Sequence, residues 1–321
     1  MDYKEWSRRY LCKWKIPPLY ALDSIINSIH NETPLSYVRF CDADLIFLKE
    51  YFKVIKNDPY YIDLCNVDNH IIPTARFDDP EHNMLKYYAR IFQSEIINDY
   101  FNNRWGVTSD AERIGILETL GTGLIYALQN SSLIGVWGIE DDVLCGTIED
   151  FYAWRHSYVP HVELFAECGV NFKNITSASV HREEVIADPY RFKKILNGKP
   201  IHIFTSNEHE LRNVTKLHEI LETEITYTNL TPVRGDWQTF SFADHQFLHD
   251  RCKDIKEHVV LYGLGYGAKH IPSYLSTTYG KAVIDMGAVL DGWAGKITRP
   301  YMKDNSYMVP NLDGATEAWI P

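Results

Sequence analysis

The sequence predicts an α/β protein with a mostly parallel sheet flanked by helices. Three observations carry that reading. Apolar runs of strand length alternate with helix-period segments from residue 189 onward. Turn residues such as Asn197-Gly198-Lys199-Pro200 separate them, and a glycine-rich turn from Gly263 to Lys269 joins a strand to a helix near the end of the chain.

Taken in order, the chain begins with a basic and aromatic stretch (Lys4, Arg8, Arg9, Lys13, Lys15, with Trp6 and Trp14), then Pro17-Pro18 and a helix over Ala21 to Ile29. Residues 1–34 therefore read as an N-terminal helical arm. Tyr37 to Phe40 reads as a short buried strand that stops at Asp42-Ala43-Asp44, and Leu45, Phe47, Leu48, Phe52 and Ile55 mark the helix after it. A strand over Tyr60 to Leu64 and a loop holding His70 and Arg76 follow. Pro80 to Phe101 and Ser109 to Leu128 have helical spacing, the first announced by Asp78-Asp79 before its proline.

Ser132 to Trp137 is the next strand, ending in an acid cluster, Glu140-Asp141-Asp142. Phe151 to Cys168 is helical, and Ile175 to Ala178 is a short strand leading to His181-Arg182. The pattern then sharpens: helix Pro189 to Leu196, strand Ile201 to Phe204, helix Glu210 to Leu221, strand Glu224 to Tyr227. The last unit is strand Val259 to Tyr262, glycine turn, helix Ala268 to Thr278 and strand Ala282 to Asp285. Residues 35–295 form the main domain, and residues 296–321 read as a polar tail laid over its surface.

Composition narrows the function classes. With 321 residues the chain can bury a large core, and its 45% apolar and 23% charged residues are ordinary for a globular protein. A net charge of −11 argues against nucleic-acid binding, which needs a basic surface. Six cysteines without a C-x-x-C pair suit reduced thiols, and neither an apolar leader nor a membrane-length run is present, so a cytoplasmic, soluble protein is expected. The basic arm leaves peripheral membrane contact open, and self-association is open too.

Several positions point to chemistry. Asp42 and Asp44, spaced by one small residue at a strand end, suit either a hard divalent ion or capping of the helix that follows. Ser206 and Asn207 sit where a strand gives way to a helix, a place that receives anions. Gly265 and Gly267 would let the backbone approach a phosphate, with Lys269 beside it. Gly263, Gly265 and Ala268 also match G-x-G-x-x-A, and Asp285 falls where a dinucleotide enzyme holds a ribose. An NAD(P)-dependent oxidoreductase is thus a rival reading, although this unit closes the chain and leaves Asp42 and Asp44 unused. His245 and His249 lie four apart but outside any zinc signature.

The segment Val38-Arg39-Phe40-Cys41-Asp42-Ala43-Asp44 resembles the R-[IF]-G-D-G-E signature of the GT-D glycosyltransferases, with Cys41 and Ala43 in place of glycines and Asp44 in place of glutamate. The segments 132–138, 177–181, 199–207, 259–267 and 280–293 look like that family's later blocks in the same order. The resemblance implies a Rossmann-like fold and a metal-dependent glycosyltransferase. Its donor would be a nucleotide-sugar such as a UDP- or GDP-sugar, its acceptor a glycan or glycoprotein, and its metal Mn2+ or Mg2+. Asp42 and Asp44 would inherit the metal; Arg39 would either offset charge on the leaving group or hold its strand through a buried ion pair. For the catalytic base the residues offer Asp142, His181 and Asp236. A non-catalytic nucleotide-sugar-binding module is the remaining alternative.

Overall fold

The structure is a computed structural model that describes residues 15–16, 18–40, 42–58, 97–98, 100–136, 165, 167–205, 208–213, 216–229, 245–299, 301–310 and 316–317. Outside them lie the strand expected at 60–64, the loop with His70 and Arg76, most of the helices expected at 80–101 and 151–168, and Asp142, Ser206, Asn207 and Asp236.

Among the described residues the main sheet has eight strands, all parallel, in the order β1-β4-β3-β2-β8-β7-β5-β6. In chain order they are β1 (Lys15–Ile16), β2 (Leu35–Phe40), β3 (Leu133–Val136), β4 (Ile175–Ser177), β5 (Ile201–Thr205), β6 (Ile225–Asn229), β7 (Val259–Gly263) and β8 (Ala282–Asp285). After β2 the chain builds outward through β3 and β4, crosses to build β5 and β6 on the other side, and returns through β7 to β8. β8 closes against β2 at the middle, pairing Leu35 with Ala282 and Tyr37 with Ile284. All six residues of β2 are buried, as a central strand covered on both faces requires.

Strand alternation sorts side chains between the two faces. One face presents Leu35, Tyr37, Leu133, Ile201, Ile203, Val259, Leu261 and Ile284 to a core cluster that includes Ala21, Leu22, Ile25 and Ile29 of the helix α1 (Pro18–Asn31) and Phe192, Ile195 and Leu196 of the helix at 189–196. The other presents Val38, Phe40, Ile134 and Val136 to α2 (Asp42–Val54) and α3 (Asp110–Asn130). Beyond them Val260, Tyr262 and Val283 pack on α4 (His270–Tyr279) through Ile271, Tyr274 and Leu275.

Local signals set several helix ends. Ser109 caps α3 by accepting from the Glu112 amide at 3.5 Å, with Glu112 three residues on as a capping box expects. Pro189–Leu196 starts on Asp188, which accepts from the Tyr190 amide at 2.9 Å, has Pro189 in its first turn, and stops at Asn197 in the left-handed region (φ 49°). The single helix expected from Glu210 to Leu221 is instead two, Glu208–Asn213 and Leu217–Leu221. Lys216 (φ 46°) breaks the backbone between them, just after the β-branched pair Val214-Thr215.

The segment after Trp293 is more ordered than its composition suggests. It forms a helical turn at Tyr301–Asp304 and buries Ile297, Met302, Met308 and Val309 against the first face. No helix among the described residues is long and apolar enough to cross a membrane.

Candidate active site

Because every strand is parallel, the carboxyl ends of β2, β4, β5, β7 and β8 share one edge of the sheet, where open α/β sheets bind ligands. There the pairing of β2 with β8 brings Arg39 to Asp285. Arg39 Nη2 donates to Asp285 Oδ1 at 2.8 Å, the Arg39 amide donates to Oδ2 at 3.2 Å, and Lys269 Nζ donates to the same Oδ2 at 2.8 Å. Asp285 is 1% exposed. Burial alone would raise its pKa, but the charges and hydrogen bonds of Arg39 and Lys269 prevail and hold it well below the usual carboxylate range.

His181 completes the group. Its Nδ1 lies 2.7 Å from the Ala178 carbonyl, which can only accept, so Nδ1 carries the proton and Nε2 accepts from Arg39 Nη1 at 2.7 Å. Burial, then the charges of Arg39 and Arg182, push the imidazole pKa well below its ordinary value. The ring is neutral and fully buried, with both nitrogens engaged within the protein.

Two glycines make this packing possible. A Cβ on Gly135 of β3 would lie 2.9 Å from the Tyr37 hydroxyl and 3.0 Å from Ala178 Cα. Its absence lets Tyr37 reach across β3 to the Ser177 carbonyl at 3.1 Å and lets the 178–182 turn settle over the sheet. A Cβ on Gly287, which has φ +48°, would fall 1.8 Å from Arg39 Nη2. Gly287 is the wall against which the guanidinium lies.

The glycine turn after β7 is pinned from below. Tyr262, fully buried, donates its hydroxyl to the Gly265 carbonyl at 3.1 Å. Gly265 has φ 72° and ψ −160°, a conformation reserved for glycine, and faces open space where a side chain would be. Gly267 is buried in the tight turn Tyr266–Ala268 ahead of α4. Burial raises the Tyr262 phenol pKa well above normal, and the carboxylates of Asp285 and Asp44 raise it further. The Asp44 carboxylate is 2% exposed in the first turn of α2. Asp42 opens the same helix.

The structure thus gathers Arg39, His181, Lys269 and Asp285 into one contact network, and ties Gly265 to Tyr262. Lys269, expected at a phosphate, spends a hydrogen bond on Asp285, and Asp285, expected at a ribose, lies within the sheet edge. Thr205, the residue before Ser206, pairs in register with Gly263 and so ends at the same edge. Among the described residues no group of three or more His, Cys, Asp or Glu could hold a metal ion. The roles of Gly135, Tyr262 and Gly287 are not visible in the sequence; the glycine after Asp285-Met286 was the only local sign of the last.

No family model matches the chain, and no curated protein does. Two solved structures share its fold. A selenomethionine-substituted structure of domain of unknown function 1792 matches with a TM-score of 0.51 at 15% identity, covering 99% of this chain and 95% of that one. A structure of the domain of unknown function 1792 described as having a distinct glycosyltransferase fold matches with a TM-score of 0.53 at 14% identity over the same shares. The chain shares the α/β fold of these two structures.

Proposed function

We propose that this chain is a metal-dependent glycosyltransferase of the GT-D type that moves a sugar from a nucleotide-sugar to a glycan or glycoconjugate. One observation supports the reading: Arg39 and Asp285, 246 residues apart, join at the carboxyl end of β2 just ahead of Asp42 and Asp44, in a fold shared with a structure described as having a distinct glycosyltransferase fold. The ion pair holds the end of β2 against β8, which fixes the start of α2 and its acids. Arg39, His181 and Lys269 act as positioning residues: Arg39 bridges His181 and Asp285, and Lys269 shares the Asp285 carboxylate.

Carboxylate oxygens are the donors a hard divalent ion takes, and Asp44 is buried at the right edge. Asp42 and Asp44 would hold the ion, which when bound would supply positive charge to offset that of the donor diphosphate. The open face of Gly265 offers backbone to the nucleotide, and Ser206 and Asn207, which follow β5 in the sequence, would add polar groups for it.

The oxidoreductase reading loses its acidic residue, since both Asp285 oxygens are engaged by Arg39 and Lys269. Melting curves with UDP-sugars, GDP-sugars, NAD and NADP, with and without Mn2+, separate the two. The expected result is Mn2+-dependent stabilisation by one sugar nucleotide, release of its nucleoside diphosphate, and a loss of about 100-fold or more in turnover for Asp44→Asn. Stabilisation by a dinucleotide that survives Asp44→Asn would overturn the proposal.

A further inference from the structure

Arg182, beside His181 in the turn after β4, serves none of the contacts described so far. Its guanidinium carbon lies 3.9 Å from the centroid of the Tyr301 ring, and its Nε is buried without a hydrogen-bond partner. Among the described residues no carboxylate pairs with it. Two nearby acids in sequence are committed elsewhere: Glu184 binds Arg191 at 2.7 Å, and Asp188 caps the following helix. The turn itself is fastened by Tyr307, whose hydroxyl donates to the Arg182 carbonyl at 2.9 Å and to Asn305 Oδ1 at 3.0 Å.

An arginine stacked on an aromatic face has its stem fixed and its planar fork oriented, while its charge remains to be met. Half-buried cations are normally answered by an anion, and a guanidinium fork matches phosphate oxygens in particular. Arg39 and Lys269 meet the Asp285 carboxylate inside the protein; Arg182 follows His181 in the turn at the carboxyl end of β4, on the same edge of the sheet, and is half-buried.

We infer that Arg182, set by Tyr301 and Tyr307, is a binding residue for the diphosphate of the ligand held at this edge. The inference rests on the nucleotide-sugar reading and adds to it a residue outside the acidic turn and the glycine turn. It also gives the segment 301–307 a function, that of aiming a phosphate-binding fork.

Calorimetric titration of UDP, GDP, inorganic pyrophosphate and the parent nucleosides in the presence of Mn2+ tests it, on wild type, Arg182→Gln and Arg182→Lys. The expected result is a loss of about tenfold or more in diphosphate and pyrophosphate affinity for Arg182→Gln, with nucleoside affinity unchanged. Arg182→Lys, which keeps the charge without the fork, should fall between and guards against a Gln variant that fails to fold. Equal diphosphate affinity in wild type and a folded variant overturns the assignment while leaving the site reading standing. Parallel loss of nucleoside affinity reduces Arg182 to a structural role and also overturns it. Wild-type protein that binds neither diphosphates nor pyrophosphate overturns both readings.

Discussion

Asp285→Asn is the most informative single change in the sheet. It keeps the side-chain shape but removes the charge that answers Arg39 and Lys269, both of them buried. Breaking a buried ion pair by deleting one partner costs about 3–5 kcal/mol, because an unanswered charge is left behind. For a chain of this length that corresponds to a fall of ~5–8 °C in melting temperature. Calorimetry on wild type and variant across pH gives a second, independent readout. The folded pKa of Asp285 is depressed, so its contribution is complete above the unfolded value of about 4 and is lost as pH falls below it toward the folded value. The gap between the two proteins should therefore be constant from neutral pH down to about 5 and narrow below about 4. A gap under ~2 °C at pH 7, or one that widens on acidification, would refute the claim that this carboxylate anchors the two cations.

Other expectations follow from the same geometry. Gly287→Ala places a methyl where the Arg39 guanidinium lies and forces alanine into a left-handed backbone, so a loss of at least about 2 kcal/mol in chemical unfolding is expected, and a neutral result would mean that Arg39 is not held there. His202, packed between the Thr226 and Thr228 hydroxyls, has its pKa pushed down to about 4, chiefly by burial. Since the unfolded chain takes up a proton near pH 6.5 and the folded one does not, stability should fall by about 1–2 kcal/mol between pH 7 and pH 5 from this residue, and His202→Gln should flatten that slope. Nitrogen-15 spectra of His181 should show a neutral ring protonated at Nδ1 at pH 5.5; an imidazolium signal there would contradict its contacts with Arg39 and Ala178.

Much of the scaffold was legible because it is written in local periodicity. The strands at β2, β3, β5, β7 and β8 and the helix after Asp188 lie where apolar runs and capping residues put them, within a residue or two. The alternation of strand and helix also announced a parallel sheet. What periodicity cannot say is which strands are neighbours. That Asp285 meets Arg39 and Lys269 depends on β8 pairing with β2, a contact across 246 residues, so Asp285 read as a ribose ligand and Lys269 as a phosphate ligand. The alternative of a buried ion pair for Arg39 was visible, but not its partner. His181 stood out as an ionisable group after a strand; only the packed turn shows that its nitrogens face Ala178 and Arg39. The split at Lys216 was hidden because the flanking apolar residues, Leu211, Leu217 and Leu221, all reach the core and imitate one continuous helix.

The closing of β8 against β2 also sets the order in which the molecule can be made. Until residues 282–285 have left the ribosome, β2 has β3 on one side and an open ladder of amide and carbonyl groups on the other. That strand is buried along its whole length once the protein is complete. Folding must therefore wait for one of the most distant contacts in the chain, a topology that is slow and exposes the nascent half-sheet to wrong partners. The acids at the end of β2 gain their ion-pair support only in that final step, so the same pairing that completes the sheet completes the site.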